Sequence, residues 1–144
     1  MRKSQRIYSE SATAERLRRH GINPTSQRTL ITRVLFERCT HLSADELYRI
    51  VNENDRRVSK ATVYNTLGLL VGRGIIREVI ADPNKVFYDP NTEPHHHLYN
   101  VDTGELTDID AAAIEISGLP RLPEGTVAEG VDVIVRVRTR NLPV

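Results

Sequence analysis

Apolar positions in the first half of the chain recur every three or four residues, the period of an α-helix with one buried face. Residues 14–20 are basic and stop at Gly21, after which Asn23, Pro24 and Thr25 predict a turn. In residues 26–38, Leu30, Ile31, Val34 and Leu35 fall at helical spacing, with Ser26 in the place of a cap. Ser43 followed three residues later by Glu46 is a capping-box signature, and it opens a helix whose Ala44, Leu47, Tyr48 and Val51 share a face. Ser59 opens another, with Val63, Leu67, Leu70 and Val71 as its apolar stripe.

After Gly74 the pattern changes to that of strands. Residues 75–80 and 86–88 are rich in β-branched and aromatic side chains, and residues 81–85 between them predict a hairpin with a longer loop. Helices feeding directly into a hairpin describe a winged helix. Two prolines and polar residues between Asp89 and Pro94 mark a linker, so the expected domains are residues 1–90 and 91–144. In the second, residues 95–101 and 105–109 flank a turn at Asp102-Thr103-Gly104, giving a second hairpin. Asp110 is placed to cap a short helix over residues 111–117, residues 119–130 read as loop, and residues 131–140 alternate like a strand. About fifty residues bury little surface by themselves, so this part is expected to complete its core by dimerising.

Composition adds bounds rather than detail. Hydrophobic content of 39% and charged content of 27% are those of a soluble globular protein. No apolar run approaches the ~20 residues that cross a bilayer, and the basic start MRKSQRIYSE lacks the apolar core of a secretory signal. A cytoplasmic location and no membrane partner are therefore expected. The single cysteine, Cys39, excludes an internal disulfide and any four-cysteine zinc site within one chain, and reads as a small core residue. Charge divides the chain. Residues 1–90 carry 16 Lys/Arg against 10 Asp/Glu, whereas residues 91–144 carry 4 against 9. A basic first part suggests a polyanionic partner.

On the helix opened by Ser59, the face opposite the apolar stripe holds Lys60, Ala61, Tyr64, Asn65 and Gly68. Small and hydrogen-bonding residues there suit base edges in a major groove. Arg28, Lys60, Arg77 and Lys85 suit phosphates. Taken singly, Tyr64 also reads as a half-buried surface tyrosine and the lysines as solubilising groups. The winged helix and basic surplus together favour duplex DNA.

Three consecutive histidines raise a second chemistry. Residues two apart on a strand project to one side, so His95 and His97 are placed to chelate one ion while His96 points away. Asp108 on the adjoining strand is placed to add an oxygen. Any one histidine alone is more often structural than a ligand, and it is the His-x-His pair on a strand that raises the metal reading.

The segments THLSADELY (residues 40–48), SKATVYNTL (59–67), FYDP (87–90) and HHHLYNVDTGELTDI (95–109) resemble the ferric uptake regulator family, in register from about residue 13 to 115. The resemblance implies an α+β protein, with an N-terminal winged helix-turn-helix DNA-binding domain and a small α/β dimerisation domain. It implies a homodimeric repressor of a palindromic duplex operator. It also assigns His41, Asp89, His95, His97 and Asp108 to the regulatory metal site of the peroxide-sensing branch, holding Fe(II) or Mn(II). Three imidazoles and two carboxylates without thiolate suit iron, manganese or zinc. His96 falls on a position used for a second site in many members, and Glu115 is its candidate partner. Where many members carry a Cys-x-x-Cys for structural zinc, this chain has Asn100 and Thr103. The His-His-His-Leu-Tyr-Asn run also resembles iron response regulators, in which such a motif has been linked to haem; their Cys-Pro haem motif has no counterpart around Cys39. A rival of another class is a mononuclear iron enzyme using two histidines and a carboxylate. It lacks a domain to form a substrate cavity.

Overall fold

The computed structural model describes residues 9–38, 40–54 and 57–140. Cys39, read above as a small core residue, lies outside the described residues. The chain packs as two compact units, residues 1–92 and 93–144.

The N-terminal unit contains helices α1 (Glu10–Arg19), α2 (Ser26–Arg38), α3 (Ala44–Val51) and α4 (Lys60–Gly72), followed by strands β1 (Arg77–Asp82) and β2 (Lys85–Asp89). Each helix begins where a hydroxyl can take up an orphan backbone N–H. Ser9, Ser43 and Ser59 accept from the amides of Ala12, Glu46 and Thr62. For α2 the cap is Thr25, whose Oγ1 accepts from Arg28 at 3.2 Å, one residue earlier than the expected Ser26. Two helices end in Schellman turns. After α4, Gly74 (φ 71°) donates to the Val71 carbonyl and Ile75 to that of Leu70. After α1, Gly21 (φ 73°) donates to Arg18 and Ile22 to Leu17. In both, the apolar residue after the glycine is buried with the helix it closes, which fixes the exit of the chain.

The helices share one continuous core that includes Leu17, Ile31, Leu35, Leu47, Val63, Leu67, Leu70 and Ile76. The Asn52 side chain joins the end of α3 to the approach to α4, donating to the Tyr48 and Val58 carbonyls and accepting from the Val58 amide. That clasp sets the turn between the two helices. The hairpin is tighter than expected, because Ala81 is fully buried on β1 and only Pro83 and Asn84 form the turn. Asp82 Oδ1 accepts from the Asn84 amide at 2.8 Å, closing an Asx turn next to a bulge between Ile80 and Asp82.

The C-terminal unit is a three-stranded sheet in the order β4-β3-β5, with β3 (His95–Asn100) antiparallel to β4 (Leu106–Asp110) and parallel to β5 (Ile134–Val137). The helix expected over residues 111–117 is a single 3-10 turn, Ala111–Ala113, capped by Asp110 and ended by extended backbone at Ile114. The strand expected over residues 131–140 is shorter, Ile134–Val137, with the His97 amide also donating to the Val133 carbonyl at 3.0 Å; the flanking amides take side-chain partners. Val133 donates to His96 Nδ1 at 3.0 Å and Thr139 donates to Asp102 Oδ2 at 2.8 Å.

Candidate functional site

Two groups of candidate ligands arise from two different local geometries. In the N-terminal unit, the segment before α3 forms an isolated bridge with β2. Leu42 and Tyr88 exchange backbone hydrogen bonds of 3.2 and 2.8 Å. This sets His41 beside Asp89, with His41 Nε2 3.0 Å from Asp89 Oδ2 and both side chains largely buried. The other carboxylate oxygen, Oδ1, accepts from the Asn91 amide at 2.9 Å, so the acid is oriented from both ends.

In the C-terminal unit, β3 alternation and β3–β4 register do the positioning. His97 lies opposite Asp108 and His95 opposite Asp110. Both rings reach the same atom: Asp108 Oδ1 is 3.2 Å from His95 Nε2 and 3.5 Å from His97 Nε2. The rings meet edge to face with centroids 4.4 Å apart. His95 Nδ1 lies 2.6 Å from the Glu93 carbonyl, which can only accept, so Nδ1 carries the proton. In the neutral ring, Nε2 then turns a lone pair toward a carboxylate oxygen. Two acceptors at that distance call for a cation between or beside them, and a divalent metal ion fits that requirement. Both histidines are buried while Asp108 is about half exposed, leaving an approach from the acid side.

His96 and Glu115 are not brought into such a grouping. His96 Nδ1 accepts the Val133 N–H, which places the ring proton on Nε2 in the neutral form and occupies the histidine as an anchor for β5. Glu115 is exposed beyond the 3-10 turn. The positions of the missing Cys-x-x-Cys are likewise engaged. Asn100 Oδ1 accepts from the amides of Asp102 and Thr103, and Thr103 Oγ1 accepts from Glu105. Side-chain and backbone hydrogen bonds knit this turn.

The face of α4 foreseen for nucleic acid is solvent-exposed at Lys60, Ala61, Tyr64, Asn65 and Gly68. Tyr64 is 50% exposed. Lys85 projects from β2 beside the Phe87 ring, and Arg77 is partly exposed at the start of β1. Arg28 is partly exposed, and its guanidinium donates to the Asn23 carbonyl at 3.1 Å. A groove of about 400 Å³ runs between α3, α4 and the hairpin, with Arg49, Tyr64, Lys85 and Tyr88 among its walls. Burial raises the Tyr88 pKa above its ordinary value, and Glu78 and Tyr64 add to the shift. Sequence reasoning missed Arg49 and the acids Asp45 and Glu46 on the same groove. Their spacing along α3 was the available signal: Asp45 and Arg49 are one helical turn apart.

Among the described residues, no helix is long and apolar enough to cross a membrane. Residues 19–125 match the model of the ferric uptake regulator family. The chain is 35% identical over 92 residues to the peroxide-responsive repressor PerR of Staphylococcus aureus, an alignment covering 64% of this chain and 62% of that protein. It therefore spans less than two thirds of the length of that relative. Its backbone resembles the ferric uptake regulator of Pseudomonas aeruginosa with manganese (TM-score 0.69, 23% identity, 90% of this chain and 98% of the other). It resembles that of Vibrio cholerae similarly (TM-score 0.70, 22% identity, 88% and 98%). The Campylobacter jejuni peroxide stress regulator shares the fold over 98% of both chains (TM-score 0.58, 21% identity). With the family match spanning most of its residues, the chain belongs to the ferric uptake regulator family.

Proposed function

We propose that this protein is a metal-dependent, DNA-binding transcriptional repressor that acts as a homodimer on a palindromic duplex operator and senses peroxide or iron and manganese. The observation that carries the metal reading is the convergence of His95 Nε2 and His97 Nε2 on one Asp108 oxygen, with the His95 tautomer fixed by Glu93. His95, His97 and Asp108 would hold the ion, and the family resemblance adds His41 and Asp89 to the ligand set. The donor set favours Fe(II) or Mn(II), with zinc as the alternative, and offers no thiolate. A bound ion supplies positive charge where imidazole lone pairs and carboxylates face one another. The Asn91 amide and the Glu93 carbonyl orient the ligands. The iron-response alternative gains little here, since His96 is committed to Val133.

On the DNA side, the exposed face of α4 enters the major groove with Tyr64 and Asn65 toward base edges. Lys60, Arg28, Arg77 and Lys85 take phosphates. Metal promotes DNA binding only by favouring the competent state, and a coupling of ~1–3 kcal/mol corresponds to ~5–150-fold in affinity. Fluorescence anisotropy on the protein's own promoter duplex, titrated with manganese after chelation, tests this. A clear gain in affinity is expected. Tight binding indifferent to manganese would remove the metal gate and keep the DNA role; no binding under any metal condition would remove both. Reloading with ferrous iron without oxygen and then adding peroxide separates the signals, because only a peroxide sensor loses the DNA.

A further inference from the structure

The lysine offered to DNA by the exposed face of α4 is already paired with an acid. Lys60 Nζ lies 3.8 Å from Asp45 Oδ1 across the α3–α4 turn, with side chains 63% and 73% exposed. The wing repeats the arrangement: Lys85 Nζ lies 3.9 Å from Glu46 Oε1. Asp45 and Glu46 thus place two adjacent carboxylates on the same groove as Tyr64 and Lys85. Their structural duties differ. Glu46 also accepts the Ser43 hydroxyl at 3.0 Å within the helix cap, whereas Asp45 is the more exposed of the two and its carboxylate makes no contact with the cap. Asp45 lies in the first turn of α3, where an acid suits the helix dipole; its exposed pair with Lys60 adds little to stability, yet it sets a carboxylate on the polyanion-binding face.

We propose that Asp45 is a specificity-determining residue that suppresses binding to non-cognate DNA by holding Lys60. This rests on the DNA-binding reading above. In the free protein the pair is neutral. To place Lys60 on a phosphate, the protein must break the pair and bring the Asp45 carboxylate near a polyanion. On random sequence, phosphate contacts supply essentially all of the binding, so nothing offsets that loss. On a cognate site, the released Asp45 carboxylate accepts from a base-edge donor in register, such as a cytosine amino group, which offsets the loss there alone. The pair therefore widens the gap between the two classes of site, a repulsive element serving discrimination.

The test uses the full-length protein, a random-sequence 25-base-pair duplex, and a duplex enriched from a random library by the wild-type protein. Asp45→Asn keeps the shape and removes the charge. It is expected to bind random duplex severalfold tighter, with a log–log salt slope steeper by up to about 1. The enriched duplex gains less, so the ratio between them narrows. In a Lys60→Gln background the same substitution should change random-duplex binding little, because its partner is gone. Unchanged random binding by Asp45→Asn, or a gain that persists in Lys60→Gln, overturns the proposal while leaving the DNA role intact. A wild-type protein that binds neither duplex overturns the DNA role itself and this inference with it.

Discussion

The two units are stabilised by different interiors. In the N-terminal unit the buried residues form a continuous apolar core drawn from four helices and the hairpin. In the C-terminal unit, the buried side chains among the described residues are His95, His96, His97, Tyr99 and Leu106. Three of five are imidazoles. Meanwhile Leu119, Leu122, Val127 and Val131 of the same unit are exposed. The first unit resembles an ordinary small domain, whose stability comes from burying carbon. The second has put its candidate ligands where its core would be, so its order depends on what those ligands bind and on what covers its apolar surface.

That contrast can be broken in several ways. The largest effect is expected from Leu67→Ala, a fully buried position on α4, which should lose about 2–5 kcal/mol in urea unfolding followed by helical circular dichroism. A loss well below that range would mean the core relaxes easily and the contrast is overstated. Next, manganese at 100 times its dissociation constant should add about 2.7 kcal/mol to ligand-linked stability. Hydrogen exchange should localise the gain to β3, β4 and the Leu42–Tyr88 bridge beside His41 and Asp89, leave the α1 and α2 amides unchanged, and lose it in His97→Ala. Equal protection of α2 would show that the units do not respond separately. Ser43→Ala should cost about 1 kcal/mol through its lost cap, read as a lower midpoint for the N-terminal transition alone. The smallest effect is Asp102→Ala, about 0.5 kcal/mol, because the group is exposed. It should speed exchange of the Thr139 amide and leave β1 and β2 untouched.

Legibility in the sequence followed the same division. Helices capped by Ser43 and Ser59 and closed by Gly21 and Gly74 could be read directly, because their signals are local. The wing was read with too long a loop because Ala81, Asp82 and Lys85 look like loop residues, and only packing reveals Ala81 as fully buried. Strand alternation separated His95 and His97 from His96 and brought Asp108 opposite. The use of His96 was not legible, since its partner Val133 lies 37 residues away and offers only a backbone amide. The pairing of His41 with Asp89 came from resemblance rather than spacing; its structural cause is the Leu42–Tyr88 bridge, which no local pattern announces. Val131 and Val133 alternated convincingly yet lie before β5, whose approach is set by side-chain acceptors.

The His96–Val133 hydrogen bond has a consequence for how β3 finds its place. A strand slipped by one residue turns every side chain to the opposite face. For β3 such a slip would present His96 alone to Asp108 and turn both His95 and His97 toward Val133, where one amide proton awaits. Neither face would then be satisfied. The triple histidine therefore works as a key on the central strand, in which the odd and even imidazoles reject the wrong alignment, and the register of the sheet is checked by its own chemistry.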